Sequence, residues 1–170
     1  TESSNVVTTN FAGDEIIDSL IYSHKWSIDD VQNTFDLSYS FIDKNSYFSN
    51  FNYDSEPNSD ILWNSIVEFN PTQKTALKNI ISKWADVSGI SFLEVEESAS
   101  TVGDLRLGLS SNVEMLVGNA TAFAYLPDNF YPSAGDIWFN SQANDLIGGF
   151  VNSTFANSNF ETGSLAYYTA

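Results

Sequence analysis

The chain has 170 residues, enough for one domain with a sizeable core, and its 42% hydrophobic and 15% aromatic content excludes a disordered polypeptide. Six basic against 22 acidic residues leave a formal net charge of −16, which excludes a nucleic-acid or anionic-membrane surface as partner. No run approaches the ~20 apolar residues of a membrane span, and the lack of cysteine removes disulfides, thiolate zinc ligands and thiol nucleophiles.

Residues 1–12 read as a flexible polar tail, and TESSNVVTTN carries neither the basic nor the apolar stretch of a signal peptide. Residues 13–21 predict a short helix with Ile16, Ile17, Leu20 and Ile21 on one side and acids in its first turn, where the helix dipole favours them. His24 is the sole histidine and sits near that helix end. It cannot build a metal site without partners, Asp29 and Asp30 are weak ones, and it is assigned no role. Leu37–Phe41 alternates with the period of a half-buried strand. Residues 43–60 predict a long loop rich in Asn, Ser and Asp, tacked down by Tyr47, Phe48, Phe51 and Tyr53.

Asn70 to Gly89 carries the clearest helix signal. Asn70 is a good N-cap, Pro71 occupies the first helical position, and Gln73 is placed to close a capping box. Ala76, Leu77, Ile80, Ile81, Trp84 and Val87 recur at helical spacing, and Gly89 is a natural stop. Ile90–Glu96 reads as the next strand. Residues 104–109 follow as another, with Leu105, Leu107 and Leu109 on one face. The sequons at Asn119 and Asn152 read as loop composition. Ala120–Leu126 alternates small and aromatic residues up to Pro127, which suits an exposed edge because proline cannot donate to a ladder. After a loop of ordinary turn residues, Gly135 launches a second strand, Asp136–Asn140. A Gly- and Asn-rich loop follows, and residues 163–170 form an apolar, helix-compatible run.

Several of these stretches carry a family resemblance. AFAYLP, a loop and then GDIWFN resemble the middle of a serralysin-type catalytic domain, in the metzincin group of zinc endopeptidases. QKTALKNIISKWADVSGISFLEV is similar to the helix and following strand of those enzymes, LSYSF to their first strand, and DLRLG to a later one. The resemblance covers nearly the whole chain and implies an α+β fold. Its expected form is a mixed twisted sheet of about five strands with an exposed antiparallel edge strand, backed by helices. Residues 1–170 would then be the N-terminal, upper part of the catalytic domain.

In that family the strand matched by Ala120–Leu126 lines the cleft and pairs with substrate. The resemblance therefore implies that backbone groups of Ala122, Phe123, Ala124 and Tyr125 bind an extended protein or peptide substrate by strand addition. It also implies Zn2+, Ca2+ and a secreted, extracellular bacterial enzyme. The metzincin signature, H-E-x-x-H-x-x-G-x-x-H, places two histidines one helical turn apart on zinc, with the glutamate as general base. None of it lies in these residues. Relatives run from a segment like ETGSLAYYTA straight into that motif, so the zinc ligands are expected downstream of Ala170. No catalytic or metal-binding residue is expected within the chain, which alone is expected to be inactive. Adjacent acids such as Glu96 and Glu97 face opposite ways on a strand and make a poor carboxylate pair. Two alternatives remain open. One is a non-catalytic module that binds a peptide, or a second copy of itself, along the edge strand. The other is a fragment whose bare sheet face drives self-association.

Overall fold

The structure is a computed structural model that describes residues 6–19, 21–27, 36–48, 62–113, 120–128 and 132–143. Its centre is a five-stranded mixed sheet. The strands are β3 (Asp36–Phe41), β4 (Ser91–Glu94), β5 (Leu105–Ser110), β6 (Ala122–Ala124) and β7 (Ile137–Asn140), in the order β4-β3-β5-β7-β6. Four of them run parallel to their neighbours, and β6 joins the end of the sheet antiparallel to β7. The expected α+β architecture with an antiparallel edge is therefore the observed one.

The long helix, α2 (Pro71–Ser88), connects the parallel neighbours β3 and β4, a pairing that a tight turn cannot make. Its ends follow from local chemistry. Asn70 Oδ1 accepts from Gln73 N at 2.9 Å, and Gln73 Oε1 accepts from Asn70 N at 3.0 Å, closing the capping box. Gly89 adopts a left-handed φ of 72° and donates to the Ala85 carbonyl. Leu77 and Ile81 pack on Tyr39, Leu107, Leu109 and Phe69. The apolar stripe read from the sequence is only partly buried, because Trp84 and Val87 are 63% and 79% exposed.

A second apolar layer, built from Ile42, Leu62, Val113 and Trp138, covers the opposite face of the sheet. With both faces covered, β5 is buried along almost its whole length rather than on its leucine face alone. Gly108 permits this close packing. A side-chain carbon there would lie 2.5 Å from the Trp138 ring, so the indole rests directly on the strand backbone. Beside it, Arg106 is held by Glu97 through a two-point ion pair of 2.8 and 2.7 Å, with both side chains under 5% exposed. The Arg106 guanidinium also donates to the Tyr47 carbonyl and lies over the Phe48 ring. Ser40 Oγ donates to Glu97 and accepts from Gly103 N. On the helix-covered face, Tyr39 donates to Glu94. Burial, then the negative charge of Glu94 and that hydrogen bond, push the Tyr39 phenol above its usual range.

The N-terminal region departs from expectation. Within the presumed 1–12 tail, Val6–Thr8 forms strand β1, antiparallel to β2 (His24–Trp26). The predicted helix shortens to one turn, α1 (Glu15–Asp18), capped by Asp14, and both Ile16 and Ile17 are exposed. The Asp18 carboxylate turns back to accept from Ala12 N and Gly13 N, tying the approach segment to the turn. Trp26 packs this unit onto the sheet at Gly135. A side chain on Gly135 would lie 2.9 Å from the Trp26 ring and collide with the Asp104 carbonyl, and its φ of 88° independently favours glycine. Leu20, Asp29, Asp30, Phe51, Tyr53, both sequon asparagines and residues 144–170 lie outside the described residues. No described helix is long and apolar enough to cross a membrane.

Candidate functional site at the β6 edge

Strand β6 is three residues long because its sequence stops it. Ala122, Phe123 and Ala124 alternate, and the Tyr125-Leu126-Pro127 exit ends the ladder. The register pairs Ala122 with Phe139, Phe123 with Trp138 and Ala124 with Ile137. On either side of these pairs the backbone bonds are explicit. The Thr121 carbonyl accepts from Asn140 N at 2.8 Å, Tyr125 N donates to the Asp136 carbonyl at 2.9 Å, and the Tyr125 carbonyl accepts from Gly135 N.

In an antiparallel ladder, hydrogen-bonded and non-bonded pairs alternate. With Thr121 and Tyr125 bonded to β7, Phe123 must be bonded as well, and Ala122 and Ala124 occupy the non-bonded pairs. The N–H and C=O groups of Ala122 and Ala124 therefore point away from β7, toward the side where no described strand lies. This divides the four residues read from the sequence. Ala122 and Ala124 direct their backbone groups outward, whereas Phe123 and Tyr125 direct theirs into the sheet.

The side chains divide along the same line. Phe123 and Tyr125 meet edge to face at 5.3 Å and pack on the cluster of Ile42, Leu62, Val113 and Trp138. They fix the strand in place. Ala122 and Ala124 are exposed on the other face, where they carry only small methyl groups.

Next to the C-terminal end of β6 lies an open depression of about 280 Å³. Ala124, Tyr125 and Leu126 line it from the strand, Tyr22 from the N-terminal unit, and Asp128, Ser133 and Ala134 from the β6–β7 loop. Asp128 is the charged member of this lining. Ser133 is 1% exposed, and its hydroxyl has no hydrogen-bond partner among the described residues. Tyr22 carries no site signal in the sequence, and it reaches the edge where Trp26 packs the N-terminal strands against Gly135. A second depression follows the first two turns of α2, lined by Pro71, Thr72, Thr75, Ala76 and Asn79. None of these lining residues is charged.

His24 pairs with Thr8 in the two-stranded sheet, its Nδ1 3.0 Å from Ser23 Oγ and its ring against Tyr22. Among the described residues, no three His, Asp or Glu side chains converge as metal ligands. Glu97, considered as half of a carboxylate pair, is instead bound to Arg106, while Glu96 is exposed. The donor set of these residues thus does not fit zinc, which takes at least three protein ligands even in its open sites.

Comparison with known proteins gives the relationship. The chain is 29% identical over 168 residues to a serralysin of Photorhabdus laumondii subsp. laumondii, covering 91% of this chain and 31% of that protein. It is 31% identical over 140 residues to a serralysin of Photorhabdus sp. (strain Az29), covering 76% and 25%. A serralysin of Photorhabdus luminescens is 29% identical over 168 residues, covering 91% and 30%. The chain is serralysin-like. It spans about a third or less of the length of these relatives. No family model matches it.

Proposed function

We propose that this chain is the substrate-pairing, N-terminal part of a secreted, extracellular zinc endopeptidase of serralysin type. The observation that carries this reading is the outward edge of β6, along which no described strand lies, and the serralysin-like relationship supports it. An extended peptide lying along β6 would exchange backbone hydrogen bonds with Ala122 and Ala124, and the strand would fix its direction and register. The rigid Phe123–Tyr125 anchor keeps that edge from shifting as substrate binds. The zinc ligands and general base of such an enzyme would belong to residues outside this sequence. These 170 residues contribute binding and orientation, not bond cleavage.

The test is Ala124→Pro in the full-length protein, which removes an outward N–H while sparing the bonds to β7. Losing one backbone hydrogen bond to substrate should raise KM for peptide cleavage about three- to tenfold, with kcat less affected. Unchanged kinetics would overturn the pairing role.

The outward side of β6, where no described strand lies, also suits one competing reading. In it the same edge serves a non-catalytic module that holds a peptide or a second copy of the chain. Zinc content of the full-length protein separates the two. A stoichiometric, chelatable zinc whose removal stops cleavage supports the enzyme, and peptide binding without zinc or cleavage supports the module.

A further inference from the structure

We propose that the depression beside β6 is a side-chain subsite for a basic residue, arginine or lysine, of the peptide that pairs with the edge; this rests on the pairing role of Ala122 and Ala124. Directly opposed residues of paired strands send their side chains to the same face. A peptide residue opposite Ala124 therefore projects on the side where Ala124 and Leu126 line the depression. Ala124 offers only a methyl group there, so the incoming side chain has room.

The lining selects among side chains. Leu126 and Tyr22 are 56% and 45% exposed and supply apolar surface for a long methylene stem. Asp128 supplies a carboxylate for the cationic head, and the Tyr22 ring offers it a π face. A purely aliphatic side chain would cover Leu126 but bring no cation to the Asp128 carboxylate. An acidic side chain would be repelled by Asp128 and by the net charge of −16, which draws cationic peptides toward the whole molecule.

The experiment uses the full-length protein and two labelled, end-blocked hexapeptides of valine and threonine. They differ only in one central residue, arginine or its neutral isostere citrulline. Binding is followed by fluorescence anisotropy, with a zinc chelator present to prevent turnover. Wild-type protein should bind the arginine peptide about three- to fivefold more tightly, the range of a partly exposed ion pair. Asp128→Asn should erase that difference, chiefly by weakening the arginine peptide. Equal binding of both peptides by the wild type, or a preference that survives in Asp128→Asn, would overturn the subsite. Ala124→Pro separates this from failure of the pairing role. If it weakens both peptides alike, the edge pairs with peptide whatever the outcome at Asp128. If it weakens neither, the pairing role falls and the subsite with it.

Discussion

Arg106 and Glu97 meet below 5% exposure, beneath Phe48 and beside Ser40. A charge taken that far from water is tolerated because every strong contact is made, including both prongs of the carboxylate fork. Removing one partner is therefore worse than removing both. Glu97→Ala should destabilise the fold by about 3–5 kcal/mol, measured by urea denaturation, because it strands the guanidinium. Arg106→Met combined with Glu97→Leu should recover most of that loss. The pair was invisible in the sequence. A polar residue between Leu105 and Leu107 reads as the solvated face of a strand, and only the second layer of Leu62, Val113 and Trp138 reverses it. The one available signal was Gly108, two positions on, which marks close packing on that same face.

At the scale of the element, β6 has two kinds of position within three residues. Phe123 is bonded to Trp138 and packed on the core, so Phe123→Pro should cost several kcal/mol by removing ladder bonds and a half-buried ring. Ala122→Pro should cost no more than about 1 kcal/mol, since the N–H it removes faces outward. Comparing the two midpoints in thermal unfolding checks the assigned register, because a one-residue slip would exchange the two results. The strand itself was legible, since small–aromatic alternation ending in proline is a local pattern. Which of its residues face outward was not, because that depends on the phase of β6 against β7. The long helix shows the same division. Asn70, Gln73 and Gly89 set its ends as read, whereas the exposure of Trp84 and Val87 depends on how far α2 overhangs the sheet.

For the whole molecule the dominant quantity is charge. With 22 acids against six bases, compaction brings like charges together. Raising ionic strength from about 0.01 to 0.15 M shortens the screening length from ~30 to ~8 Å, which should raise the thermal midpoint by relieving that repulsion. A midpoint that falls with added salt would mean that specific ion pairs, such as Lys78–Glu94 at 2.7 Å, outweigh the net field. The same screening should weaken capture of cationic peptides at β6, so stability and binding are expected to respond to salt in opposite directions.

The sequence alone determined what local chemistry controls. It set the capping box and glycine stop of α2, the presence of strands β3, β5 and β7, and the proline-ended edge of β6. Its resemblance to serralysins agrees with the relatives the chain matches. Each of these depends on residues within a turn or two of one another, so no distant contact is needed to read them. Tertiary structure decided the rest: strand β1 inside a polar tail, the burial of Arg106, the outward pair Ala122 and Ala124, and the arrival of Tyr22 beside Asp128. All of these arise where segments far apart in the chain are packed together, through Trp26 on Gly135 and Trp138 on Gly108. Burial and register at such junctions are properties of the pair of surfaces, and neither surface carries them by itself.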